Sequence, residues 1–479
     1  MVVSLVGLPS SLLSLIFSLV CLADNVVLAV TCRLLHGIGL LPSSSPKTVH
    51  LAMTAAASVP AQISRFRIRD LFIMGFLIDT REVISPLYGM SSLLSLDVTR
   101  CCIINLDHFV GLTSLTSLNI RGGSFEDLSP IRGLTGLNSL AISCCEAKNV
   151  ASTVGELTNL TSLDLDICYQ IIKIDFVQKL TCLMNLEIYA CAAKDISPVT
   201  SLIKLTSLKL KNFYDLINIS PLASLTTLLS LNLADGKFDD ITPLARITSL
   251  TSLGLIECDM ITDFRPISGL SSLRELDIVG SMHDLTLVAM LKNLLKLNIN
   301  HISDLIPLGG LNLHELYIGS SELSSILPIS SHNNMKTLHI NYCTNLCEIK
   351  GIGRLTGLTE LYICDNDKLD DIKELANLTS LRALGINNCS KIKDFSPLAV
   401  LNEIKMLELR CFEFKDLNIF SSFSKLKVID ISDCKKIVDL TPLTIMPSLQ
   451  IITIIGCIGV RIPSFGKDVR LIHGRAINI

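Results

Sequence analysis

Nine cysteines of this chain stand at one recurring place, five residues after the central residue of a short apolar run: Cys101, Cys145, Cys168, Cys191, Cys258, Cys343, Cys389, Cys434 and Cys457. A thiol in that setting could be a nucleophile, half of a disulfide or a metal ligand. Zinc sites want paired ligands such as C-x2-C with a second pair at a suitable distance, and the spacing here does not supply them. Cys343 and Cys347 are four apart, while Cys101/Cys102 and Cys144/Cys145 are adjacent. The total of 17 cysteines is odd, and disulfide frameworks belong to small secreted domains. A buried Cys instead behaves as a small hydrophobe with a weak donor, and these thiols are read as structural.

Other chemistry is equally sparse. The chain has no G-x-S-x-G elbow, no H-E-x-x-H, no Walker A loop and no G-x-G-x-x-G after a strand. Its nine His are dispersed; His108, His283 and His332 read as solvated loop positions, and HGIG at His36 to Gly39 is too short to carry weight. No catalytic, cofactor-binding or metal-binding residue is assigned, and no enzyme is expected. With 41 Lys+Arg against 44 Asp+Glu, scattered along the chain, nothing marks a nucleic-acid binder. A chain that is 49% hydrophobic is not a candidate for disorder either.

What must position the cysteines is a repeat. By length alone, 479 residues suggest about three domains, but LxxLxL returns about every 22 or 23 residues. Its central residues are Leu96, Leu118, Leu140, Leu163, Leu186, Leu208, Leu231, Leu253, Leu276, Leu297, Leu316, Leu338, Leu361, Leu384, Leu407, Ile429 and Ile452. A weaker copy begins near Leu71. Each copy holds an apolar-x-apolar run, the alternation of a half-buried strand, too short to fold alone. Neighbours must stack to bury a continuous core, which predicts a solenoid with parallel strands on one face. After each strand comes a loop such as DISPV (Asp195 to Val199), DITPL (Asp240 to Leu244), DFSPL (Asp394 to Leu398) or DLTPL (Asp439 to Leu443). Proline fixes φ there and keeps its predecessor extended, so that side is expected to hold extended chain or short 3-10 turns.

LxxLxLxxC or LxxLxLxxN with a D-x-S/T-P-L loop resembles a leucine-rich repeat of the internalin-like type, over about residues 65 to 460. It is also similar to the cysteine-bearing arrays of kinetoplastid leucine-rich repeat proteins. The resemblance implies an α/β-type solenoid: a horseshoe with a parallel concave sheet and a mostly extended or 3-10 convex side. It also implies that the Cys at the recurring place, or Asn366 in the same slot, turns inward and bonds the turn backbone in a ladder along the solenoid.

The chain then divides into residues 1–64, an apolar N-terminal targeting, anchor or capping segment; residues 65–460, the solenoid; and residues 461–479, a C-terminal cap or tail. Val2 to Ala23 is 22 residues without a charge, long enough to span a bilayer. Three readings stand: a secretory signal with Cys21-Leu22-Ala23 at the cleavage site, an uncleaved anchor, or a cap on the first coil. The first two make the protein membrane-associated or secreted; the third leaves it cytoplasmic. Sequons at Asn159, Asn218, Asn377 and Asn388 matter only in a secreted chain.

Function follows from what a solenoid displays. Positions flanking the apolar residues point outward and give an extended surface for a macromolecular partner. The expected role is a non-catalytic protein-binding scaffold; the alternative is a regulatory or targeting subunit that positions an enzyme such as a phosphatase or ubiquitin ligase. Along the outward column most residues are ordinary polar ones, but Tyr317, His339 and Tyr362 are three rings in consecutive copies, flanked by Glu315, Thr337 and Glu360. These six are the candidate partner-binding residues. Just before them the period slips to 21 and then 19 residues, and the ladder slots hold Ser281, Ile302 and Ser321. Either those copies have decayed or the irregularity reshapes the binding face.

Overall fold

The computed structural model describes residues 29–31, 47–53, 68–75, 87 and 90–473, except 100–102, 104, 144–145, 281, 411–416, 458 and 467–468. Two compact units divide at residue 247. In the first, ten described strands run from Ala29–Thr31 to Ser230–Ala234, each parallel to the next in sequence. In the second, eleven run from Ser252–Ile256 to Arg470–Ile472 in the same way.

The register is the one the leucines dictate. Leu96 lies opposite Leu118, Leu118 opposite Leu140, and so on through Leu231 in the first unit. The second unit repeats this from Leu253 to Ile452. None of these central residues is more than 1% exposed. A one-residue slip would turn every one of them to water, so burial of one face fixes the pairing. The weaker copy at Leu71 is a full member: Leu71 pairs with Leu96 and is fully buried. Pairing also reaches upstream of residue 65, since Lys47–Met53 lies parallel to Ile68–Gly75 and Ala29–Thr31 parallel to Lys47–Met53. Residues 2–23 lie outside the described residues.

The return arm is made of 3-10 turns, with prolines in their first positions, as in Ser197–Ser201, Thr242–Arg246, Ser396–Val400 and Thr441–Ile445. The aspartate of each D-x-S/T-P loop starts the turn by accepting a backbone N–H two residues on: Asp195 from Ser197 at 2.7 Å, Asp240 from Thr242 at 2.8 Å and Asp394 from Ser396 at 2.9 Å. Among the described residues the one α-helix is Val150–Val154, in a copy with no proline at that place. The fold is thus the leucine-rich repeat solenoid, with a parallel sheet on one side and 3-10 turns on the other.

The cysteine slot is a ladder. Cys168, Cys191, Cys258, Cys343, Cys389 and Cys434 are buried, whereas Cys457 is partly exposed; Cys101 and Cys145 lie outside the described residues. Three of them donate to a strand-end carbonyl of the copy before, Cys389 to Ile363, Cys434 to Leu409 at 3.1 Å and Cys457 to Ile431 at 3.2 Å, while Cys168, Cys258 and Cys343 donate to the carbonyl two residues earlier in their own copy. Cys191 donates to the Ile171 carbonyl, in the loop of the copy before, at 3.0 Å. Burial pushes the thiols of Cys191 and Cys343 up to about 11 and that of Cys389 to about 12, so they are neutral and unreactive at neutral pH. Where the slot is Gly, a different device fills it. A Cβ on Gly236 would collide with the ring of Phe238, which is fully buried. Phe125 occupies the same place over Gly123.

The irregular copies do not break the sheet. Leu276, Leu297 and Leu316 pair in unbroken register, so the shortening is absorbed outside the strands. In the copy that follows the shortest spacing the ladder residue is Ser320, one place earlier than the expected Ser321: Ser320 is 2% exposed and donates to the Ile302 carbonyl at 2.6 Å, while Ser321 is exposed. His332 is 3% exposed, inside the core, where the sequence alone predicts a solvated loop position.

Before each slot the chain turns with positive φ. Asn212, Asp235, Asp365, Asn388 and Asp433 do so between 54° and 61°, and Ile167 does so at 52°. Asn and Asp tolerate the left-handed region; a β-branched residue does not. Ile167→Asn is therefore expected to raise stability by about 1 kcal/mol, read as a higher urea midpoint, and an unchanged or lower midpoint would show that the turn there carries no strain.

Candidate partner-binding site

Three consecutive strands, Glu315–Gly319, Thr337–Asn341 and Glu360–Cys364, carry the six candidate residues. Each strand alternates buried leucine and isoleucine with outward residues, so Tyr317, His339 and Tyr362 fall on the outward face and lie opposite one another in register. Strand spacing of about 4.8 Å is close to ring-stacking distance. Accordingly the Tyr317 and His339 ring centroids are 4.6 Å apart, tilted by 53°, and those of His339 and Tyr362 are 4.7 Å apart, tilted by 41°.

The rings lie along the sheet as a half-buried row rather than standing off it. At one end the Lys296 ammonium sits 5.4 Å from the Tyr317 ring centroid and 3.3 Å from Glu315. Tyr317 Oη in turn donates to Glu315 at 3.1 Å. At the other end Tyr362 lies over Gly385, where a Cβ would collide with the ring, and its Oη reaches Met406 Sδ at 3.4 Å. His339 Nε2 faces Glu360 Oε1 at 3.3 Å. Lys296, Gly385 and Met406 were not among the sequence candidates; the signal that could have found them is their position in the same outward columns two or fewer copies away.

Burial lowers the His339 pKa below the ordinary imidazole range, although Glu360 and Glu315 pull it the other way, so the ring is neutral at pH 7. Burial pushes both Tyr317 and Tyr362 to about 12, with Glu315 opposing ionisation of the first and Glu408 of the second. The row therefore presents uncharged aromatic surface edged with carboxylates. Thr337 does not share in that surface. It sits in register between Glu315 and Glu360 and is only 9% exposed.

Charge distinguishes this face from its counterpart in the first unit. From Glu275–Val279 to Val428–Asp430 the outward strand positions carry Glu275, Asp277, Glu315, Glu360, Glu408 and Asp430 against Lys296 and Arg410 alone. From Ser95–Thr99 to Ser230–Ala234 four carboxylates face three cations. Two of those cations are paired, Arg121 to Asp164 and Lys209 to Glu187, both at 2.5 Å.

Among the described residues no group of three His, Cys, Asp or Glu is placed to hold a metal ion, and no helix is long and apolar enough to cross a membrane.

Repeat period, buried leucine column, slot ladder and 3-10 return arm together define the class: this chain is a leucine-rich repeat protein. A family model described as plant disease resistance protein RPS2-like, leucine-rich repeats, matches residues 307–457, which include the aromatic row. No curated protein matches the chain. Among solved structures, an internalin, InlF, from Listeria monocytogenes is 26% identical over 72% of this chain and 88% of its own, with a TM-score of 0.45. The functional domain of InlJ from the same organism, which includes a cysteine ladder, is 20% identical over 78% and 75%, with a TM-score of 0.45. A leucine-rich repeat protein from Leptospira interrogans is 18% identical over 79% and 88%, with a TM-score of 0.42.

Proposed function

We propose that the protein is a non-catalytic scaffold that captures a protein partner through the row Tyr317, His339 and Tyr362 with Glu315 and Glu360 at its edge. The observation that carries this reading is the row itself: three rings stacked at 4.6 and 4.7 Å on an otherwise polar outward face. Rings locked against one another lose little rotamer freedom on binding, and Tyr is enriched among interface residues whose truncation costs about 2 kcal/mol or more. Leucine-rich repeat solenoids offer such a face without disturbing their core, because outward and buried positions alternate.

The test replaces all three rings by Ser and compares the set of proteins captured by wild type and variant from a cell extract. Loss of the wild-type partner, with affinity down by at least tenfold and the far-UV spectrum unchanged, is expected. A variant that retains the partner at wild-type affinity would remove the row from the interface. Because the rings bury part of one another, the variant is expected to melt slightly lower than wild type, without loss of the folded baseline.

A further inference from the structure

The strands at the two ends of the row begin with the same four residues, Glu315-Leu316-Tyr317-Ile318 and Glu360-Leu361-Tyr362-Ile363, but the preceding strand sets Lys296 and Asn298 opposite the first Glu and Tyr and Thr337 and His339 opposite the second. Beside the first pair, the preceding strand places Lys296 opposite Glu315, and its ammonium lies against both the Glu315 carboxylate and the Tyr317 ring. Beside the second pair, the preceding strand places Thr337 opposite Glu360, and a threonine cannot reach. The protein thus contains one carboxylate-and-ring pair that holds a cation and a second whose neighbour from the preceding strand is the His339 imidazole, 3.3 Å from Glu360 and stacked on Tyr362 at 4.7 Å, with no lysine or arginine beside it.

Resting on the reading that the row binds a protein partner, we infer that Glu360 and Tyr362 receive a lysine or arginine side chain of that partner, which supplies there the charge that Lys296 supplies beside Glu315 and Tyr317. The Glu360 side chain is 41% exposed and faces the His339 imidazole through one oxygen, Oε1, so the carboxylate is open to a second donor. Tyr362 is held flat by contact with Gly385 and Met406, which leaves its orientation fixed before a cation arrives. The field of the surrounding face favours a cation as well, with six carboxylates against two cations on the outward positions of those strands. A cation over an aromatic face gains more as it is desolvated, and an adjacent carboxylate adds charge pairing. Nucleic acid and anionic membrane are disfavoured by the same charge.

The experiment uses the full chain labelled with 3-fluorotyrosine, with the Tyr362 fluorine resonance assigned by its loss in Tyr362→Phe. The probe is a twelve-residue Gly/Ser peptide carrying three arginines, and its control carries citrulline, which keeps the shape and removes the charge. The arginine peptide is expected to shift the Tyr362 resonance in a saturable way, and the citrulline peptide to leave it in place. Glu360→Gln is expected to weaken the response at least tenfold, and Thr337→Lys to abolish it by supplying the missing cation from within the chain. Lys296→Ala is expected to create a matching response at Tyr317. An equal response to citrulline, no response to arginine, or a response that survives Thr337→Lys in a folded variant would overturn the inference. If the triple Ser variant loses the partner while the arginine peptide leaves Tyr362 unmoved, the row remains the binding surface and only the cation assignment falls. If the variant keeps the partner, the row itself is not the interface.

Discussion

Asn366→Ala is expected to destabilise the second unit by about 3 kcal/mol or more, because one side chain there serves three buried backbone groups. Asn366 is 0% exposed. Its Nδ2 donates to the Ile340 carbonyl at 2.9 Å and to the Cys364 carbonyl at 2.8 Å, and its Oδ1 accepts from the Cys343 N–H at 2.9 Å. Alanine would remove all three bonds and leave the Cys343 N–H without its acceptor, although the Cys364 carbonyl keeps the Tyr342 N–H at 2.9 Å, and an unmet buried polar group costs about 1–3 kcal/mol. The effect should exceed that of removing an ordinary ladder thiol, since Cys389 in the next copy makes only long sulfur contacts at 3.4 and 3.6 Å. Asn366→Cys is expected to cost less than half as much, because cysteine occupies the same slot in neighbouring copies. Urea denaturation followed by a probe in the second unit measures both, and equal losses for Ala and Cys would mean that the slot needs volume rather than hydrogen bonds.

The second large effect concerns His332, which stands where the adjacent copies place Leu311 and Leu355, each donating its backbone N–H to the residue three before it. The imidazole is 3% exposed; Nδ1 lies 3.0 Å from the Ile329 carbonyl, and Nε2 has no hydrogen-bond partner among the described residues. Burial lowers its pKa from the ordinary value of 6.5, against the pull of the Ile329 and Leu308 carbonyls. In the unfolded chain the same histidine takes up a proton near 6.5, so between that pH and the lower folded value the unfolded state binds more protons. Stability is therefore full above about pH 6.5 and falls as the pH drops through that window. His332→Leu should raise stability by about 1–3 kcal/mol at pH 7.5, where the unmet nitrogen is the main cost, and by more at about pH 5. His339 has the same sign of shift, so a smaller acid slope remains in the variant. Denaturation midpoints at the two pH values decide it; a gain no larger in acid than near neutrality would place the acid sensitivity elsewhere.

The sequence alone determined the repeat. A leucine that returns every 22 or 23 residues inside an apolar-x-apolar run can be buried only if neighbouring copies align. The period, parallel register, proline-led 3-10 arm and inward cysteine were therefore all legible from residue spacing and from the family it resembles. The same logic placed Tyr317, His339 and Tyr362 on one face, since outward residues of aligned strands must be neighbours. Tertiary structure decided what spacing cannot encode. Whether a residue in an irregular copy is core or surface depends on where the slack is taken up, which is why Ser320 rather than Ser321 fills the ladder, whereas His332 is buried because it holds the place, six before the central leucine, that Leu355 and Leu378 hold in the next copies. The most consequential case is Lys296: in the sequence it is one lysine among many, and only strand pairing sets it across from Glu315 and reveals that Thr337 occupies the equivalent place before Glu360. Contacts between strands join residues about 20 positions apart, and the side-chain length that decides them acts across the sheet rather than along the chain.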